Sequence, residues 1–263
     1  MSTPTTGVLA HAPFRWLLAA RTVSIVGNAV APIALAFAVL DLTGSPVDLG
    51  LVVAARSVAN VAVLLFGGVI ADRLPRDVVL VATSLGAALT QGAVAALVLT
   101  GTATVPLLVV LSILNGAVAA VSLPTTAAMV PETVPEALLR PANAVIRLSI
   151  NAGTIVGASA GAGMVALVGA GWGLAVDAAG FAVAAALYAR IRLPRRASIA
   201  PADRPSVIAD IREGWVEFSG RRWVWTVVAQ FAVLNAAFVG ATTVLGPVVA
   251  DDSFGRAAWG LVV

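Results

Sequence analysis

The chain of 263 residues contains no cysteine, so disulfide staples, thiol nucleophiles and thiolate metal sites are excluded. Lysine is missing as well, because all sixteen basic residues are arginines. That removes a retinal Schiff base and a Walker A phosphate loop, two chemistries that need a lysine amine. Only 11% of residues are charged and there is one histidine, His11, on the N-terminal tail where a solvated role is the default. No segment gathers a nucleophile, a base and metal ligands, so no catalytic residue, metal site or cofactor is expected, and the chain does not read as an enzyme.

What remains is apolar. Hydrophobic residues make up 60% of the chain and the mean hydropathy is +0.99, well beyond a water-soluble domain. Apolar runs of about 20 residues match the length of helix that crosses a hydrocarbon layer roughly 30 Å thick, and no alternating strand pattern competes with them. Seven spans are expected: Phe14–Leu40, Leu49–Ala71, Val78–Leu99, Val105–Met129, Ala142–Val168, Trp172–Ala189 and Trp223–Val249. The first contains Arg21 and is followed by further spans, unlike a cleaved signal peptide. Beyond the seventh, Ala257–Val263 reads as the start of an eighth helix, so the sequence is expected to be part of a longer polytopic protein. The fold class is an all-α integral membrane bundle.

Arginine placement orients it. With the N-terminus inside, the inner segments carry Arg15, Arg73, Arg76, Arg140, Arg190, Arg192, Arg195, Arg196, Arg204, Arg212, Arg221 and Arg222, while the outer loops carry Arg256 beside Asp41, Asp48, Asp251 and Asp252. Positive charge stays inside. The pI near 10.9 therefore reports topology, with the lipid bilayer and its anionic headgroups as partner. Nucleic acid is not expected, since no basic face is interleaved with aromatics. A polar stretch divides the chain into a six-helix half (1–189), a linker (190–222) and the beginning of a second half (223–263). Within the linker, Ile208, Ile211, Trp215 and Phe218 share one face of a short helix suited to the inner membrane surface.

Two three-helix units can be superposed on each other. Arg56 precedes Asn60 by four residues in the second span, and Arg147 precedes Asn151 by four in the fifth. Ser24–Ala31 in the first span parallels Ser112–Ala119 in the fourth at a nearly equal offset. Equivalent spans run in opposite directions, an inverted 3+3 repeat typical of secondary transporters. An arginine within a span is costly and finds protein or water, so the pairs Arg56–Asn60 and Arg147–Asn151 are candidates either for function or for stapling helices together. Arg21, Ser24 and Asn28 form one polar stripe, Ser112 and Asn115 another, and Phe231, Asn235 and Phe238 a mixed one in the seventh span. Together these are the candidate substrate cavity, suited to a bulky, partly apolar small molecule, although plain helix packing explains the same faces. Gly153, Gly157 and Gly161 recur at helical spacing for close packing in lipid. Asp177 is the one carboxylate well inside a span and the candidate proton carrier. Its place about five residues from the outer end of the sixth span also suits a structural hydrogen bond or a snorkelling side chain.

Between the second and third spans lies Gly68-Val69-Ile70-Ala71-Asp72-Arg73-Leu74-Pro75-Arg76. This loop resembles the Gly-x-Leu-Ala-Asp-Arg-x-Gly-Arg motif of the major facilitator superfamily, with Pro75 in place of the glycine and Asp77 where a base is usual. The resemblance implies that Gly68, Asp72, Arg73 and Arg76 form a gating loop that latches the cytoplasmic side against the second half. The glycines of span five are similar to the family's antiporter motif, with Ala158 and Ala162 replacing a proline and a glycine. Ala20–Asn28 and Arg140–Ala144 are similar to the bacterial branch holding the enterobactin exporter and macrolide-efflux-like permeases, in which an aspartate often stands where this chain has Asn28. The resemblance implies a multi-pass protein of the bacterial inner membrane with a cytoplasmic N-terminus, an efflux antiporter that exports small amphipathic molecules by alternating access with protons as coupling ion. An importer of a small polar solute and a membrane scaffold or receptor without transport are the alternatives.

Overall fold

The computed structural model describes residues 7–192, 207–253, 255, 256, 258 and 259; within that range the side chains of residues 65–73, 207–211, 213 and 214 lie outside the description. The described residues are helical throughout: α1 (Ala12–Thr43), α2 (Pro46–Arg73), α3 (Arg76–Leu99), α4 (Val105–Thr133), α5 (Leu139–Val168), α6 (Ala170–Tyr188), α7 (Val207–Gly220), α8 (Arg222–Val239) and α9 (Gly246–Asp252). A π-helical turn, Gly240–Leu245, joins α8 to α9, so that Arg222–Asp252 forms one long span. Among the described residues, seven stretches have the length and composition to cross a membrane.

Local sequence explains the helix ends. Prolines occupy the first turns of α1, α2 and α4, where the missing N–H costs no hydrogen bond. The Ser45 hydroxyl accepts the Asp48 backbone N–H at 3.2 Å to cap α2. Gly44 takes the left-handed conformation (φ 64°) that ends α1, its N–H bonded to the Leu40 carbonyl at 2.8 Å. The expected loop between spans two and three is nearly absent, since Gly68 to Arg73 are the last residues of α2 and only Leu74 and Pro75 separate it from α3. Beyond the hydrocarbon, polar residues can continue a helix whose hydrogen bonds are already made. The linker helix is present as α7, with the Trp215 and Phe218 rings 5.9 Å apart; the side chains of Ile208 and Ile211 lie outside the described residues. Arg256, Ala258 and Trp259 are helical, at the place where an eighth helix was expected.

Packing follows a symmetric plan. The principal pairs are α2 with α4, α5 with α1, α1 with α6, α4 with α3, and α3 with α6. Exchanging α1–α3 for α4–α6 maps this set onto itself, as an inverted repeat requires. Small residues make the approach possible where lipid supplies no hydrophobic drive. A Cβ added at Gly116 of α4 would collide with the Arg56 carbonyl oxygen of α2, and one added at Gly157 of α5 with the Val26 carbonyl oxygen of α1. Gly153 and Gly161 face Ile25 and Val30 in the same way. Two apolar layers result. One, toward the C-terminal end of α1, includes Phe37, Val52, Val94, Leu108, Ala158 and Leu174; the other, toward its N-terminal end, includes Phe14, Leu17, Leu80, Met129, Ile146 and Tyr188.

Candidate functional site

Between those layers lies a cluster of polar side chains drawn from five helices. Arg56 of α2 donates from Nε to Asn115 Oδ1 of α4 at 3.2 Å and from Nη2 to Asn28 Oδ1 of α1 at 3.5 Å. Asn115 passes the chain on, its Nδ2 donating to Thr90 Oγ1 of α3 at 3.0 Å. Thr90 in turn donates to the Gly86 carbonyl of its own helix at 2.9 Å. One turn below Arg56, Asn60 Nδ2 donates to the Gly116 carbonyl at 3.1 Å, so the glycine that lets α2 and α4 touch also offers its backbone oxygen. Ser112 and Asn115 are buried, whereas Asn28 and Pro32 are exposed.

Asp177 of α6 completes the charge balance. It is 1% exposed, which rules out a snorkelling carboxylate, and its Oδ1 has no hydrogen-bond partner among the described residues. Gly27 of α1 leaves the room it occupies, since a Cβ there would stand 2.9 Å from Oδ1. The charge within electrostatic reach is the Arg56 guanidinium. Among the described residues no ion pair or hydrogen bond joins the two side chains, so the coupling acts through space: in a low-dielectric interior a buried carboxylate near a cation can remain its counter-ion or take a proton.

The other expected residues are distributed differently. Arg21 is half-buried and lies near Tyr188 of α6, whose hydroxyl bonds Thr126 of α4; with half-buried Ser24 it forms a second polar group nearer the α1 N-terminus. Arg147 and Asn151, the expected counterparts of Arg56 and Asn60, are exposed on α5 and make no hydrogen bond to another helix among the described residues. The α5–α1 contact instead carries Thr22 and Ser149, whose hydroxyls are 2.5 Å apart. Phe231, Asn235 and Phe238 are exposed on α8, with Asn235 bonded to the Phe231 carbonyl of its own helix at 3.2 Å; they are not gathered with the central cluster. Of the gating residues, Gly68, Asp72 and Arg73 have side chains outside the described residues. Arg76 binds within the bundle, donating to Glu132 Oε1 and to the Ala128 carbonyl of α4, both at 2.8 Å. His11 is not a solvated tail residue: it stands at the N-cap position of α1 without a side-chain capping bond, and its Nε2 is buried.

Two participants escape a reading by sequence. Thr90 lies in an apolar helix with no stripe to mark it, and Gly116 stands beside the Ser112 and Asn115 stripe without a polar side chain of its own. Arg256 does carry a signal, as the basic residue of an acidic outer segment. It clasps two helices, reaching Asp41 of α1 at 2.7 and 3.0 Å and Asp251 of α9 at 2.7 and 2.8 Å. Hydrogen bonds to Asp251 and Asp41 raise its pKa above the ordinary value. Its guanidinium carbon also lies 4.6 Å from the centroid of the Phe37 ring. The family model of the Major Facilitator Superfamily matches residues 17–262. No curated protein matches the chain.

Proposed function

The chain belongs to the Major Facilitator Superfamily, a family of secondary transporters, and from that premise we propose that it is a proton-coupled exporter of small amphipathic molecules, drug-like or siderophore-like, in the bacterial inner membrane with its N-terminus in the cytoplasm. The observation that carries this reading is the buried Oδ1 of Asp177, without a hydrogen-bond partner among the described residues and within electrostatic reach of Arg56. Protonation of Asp177 removes the counter-charge of a guanidinium that also binds Asn28 and Asn115, so a single proton bears on α1, α2, α4 and α6 together. The apolar layers on either side of the cluster suit alternating access, because each can part while the other excludes water. Positive-inside arginines support the orientation. In this reading α1–α6 form one half, residues 190–222 the linker, and α8 with α9 the first span of the second half.

Reconstitution of the full-length protein in liposomes with an imposed pH gradient tests it. Fluorescent amphipathic solutes should move against the proton flow, and Asp177→Asn should abolish gradient dependence while leaving solute binding within a few-fold. Gradient-driven transport unchanged in Asp177→Asn would refute the assignment, and proton-independent uptake of a polar solute would favour an importer.

A further inference from the structure

We propose that a cavity at the junction of α1 and α6 binds the phosphate headgroup of an anionic lipid. The cavity, about 520 Å³, is lined by Ala12, Pro13, Trp16, Ala189, Arg190 and Arg192. It lies where α1 begins and α6 ends, the inner membrane surface in the orientation proposed above. The site is independent of the transported solute and rests on that reading only for the choice of leaflet.

Its walls combine two chemistries. Arg190 sits over the Trp16 ring, its guanidinium carbon 5.4 Å from the ring centroid, which fixes the planar cation while leaving its N–H edges available. Arg192 adds a second guanidinium to the same wall. Among the described residues neither meets a carboxylate, and the first turn of α1 holds no acidic residue. The neighbouring Arg15 is turned away to the Leu9 carbonyl at 3.2 Å. The cavity is therefore doubly cationic, and guanidinium forks match phosphate oxygens. Ala12, Pro13, Ala189 and the indole are apolar, which suits the glycerol and upper acyl region of a lipid rather than a hydrated free phosphate. Basic pockets between helices at the cytoplasmic surface take anionic headgroups on these grounds.

Native mass spectrometry of the full-length protein, released from nanodiscs of equimolar phosphatidylglycerol and phosphatidylcholine, measures the preference directly. Phosphatidylglycerol should be retained several-fold over phosphatidylcholine. Arg190→Gln and Arg192→Gln should each lower that ratio about five-fold, the scale of one basic residue at a membrane surface. Both positions are exposed, and Arg192→Gln alone, measured at unchanged melting temperature, keeps the test sound if the double variant folds poorly. Equal retention of the two lipids, or a ratio unchanged in the variants, would overturn the proposal. Displacement of the lipid by millimolar inorganic phosphate would overturn it in favour of a free-phosphate site. Labelling of an Ala189→Cys variant from outside intact cells would overturn the orientation while leaving the lipid preference as measured.

Discussion

Replacing Arg256 by glutamine should loosen the outer ends of α1 and α9 from each other. The arginine holds Asp41 and Asp251 through four charge-assisted bonds of 2.7 to 3.0 Å and rests on Phe37. The side chains of Arg256, Asp41 and Asp251 are 28%, 51% and 38% exposed, so solvent screening holds each ion pair to about 0.2–1 kcal/mol. The ring contact adds about 0.5–1 kcal/mol. The Asp251 pair is local to the α9 side, so only the Asp41 pair and the ring contact cross to α1; together they contribute roughly 1.4 kcal/mol, equivalent to about a 10-fold change in a closed-to-open ratio. What stays behind in the variant is apolar: Ala250 and Trp259 pack into the same layer as Phe37, so the ends should separate more often without detaching.

The absence of cysteine makes the measurement clean. Nitroxides attached to Leu42→Cys and Val249→Cys, positions 42% and 54% exposed at the two ends, report their separation by pulsed electron resonance with no native thiol to remove among these 263 residues. In Arg256→Gln the long-distance component should grow about 10-fold relative to the short one, and 1 M salt should produce part of the same shift in the parent, since the Debye length falls to about 3 Å. Arg256→Lys, which keeps the charge but loses the bidentate fork, should lie between. A distance distribution indistinguishable from the parent in Arg256→Gln at low salt would refute the reasoning, because the apolar contacts would then suffice to close the ends.

Gly116→Ala and Gly157→Ala should each cost roughly 2 kcal/mol by forcing backbones apart, lowering the melting temperature in detergent by about 4–8 °C. Gly163→Ala, with nothing within 4 Å of a new Cβ, should leave it unchanged or slightly higher; equal effects at all three would argue against the contact. Arg56→Gln should destabilise by about 3 kcal/mol, since it strands the buried Asp177 charge, and Arg56→Gln with Asp177→Asn should recover most of that loss in the same thermal assay. A strictly additive double variant would show that the two charges do not interact.

Much of the architecture is legible in the chain because lipid imposes a length and a composition on any helix that crosses it. Seven spans follow from apolar runs alone, and their ends shift outward in the structure where proline, serine and glycine caps extend them. The stretch from Gly68 to Arg73 illustrates where this fails: charge there marks the end of the hydrocarbon, not the end of the helix. Arg56 could be recognised as a costly intramembrane cation, but its partners come from α1 and α4, whose register local spacing cannot supply. Asp177 lies inside α6 as the span reading expects, but its burial is not legible from local spacing, because Gly27 of α1 is the residue that lets a neighbouring helix cover the carboxylate.

The symmetry of the packing separates structural from functional polarity. Contact α2–α4 and contact α5–α1 are equivalent under exchange of the two repeats, and both depend on a glycine set against a carbonyl oxygen. If the arginine of the shared Arg-x-x-x-Asn pattern were a staple demanded by this geometry, Arg147 would bind α1 as Arg56 binds α4. It does not: Arg147 is exposed, and the α5–α1 contact closes with glycines and the Thr22–Ser149 hydroxyl pair. The packing therefore forms without a buried cation. The desolvation of Arg56 and the burial of Asp177 are costs that this packing does not require, which is what a charge pair kept for the proton coupling proposed above would show.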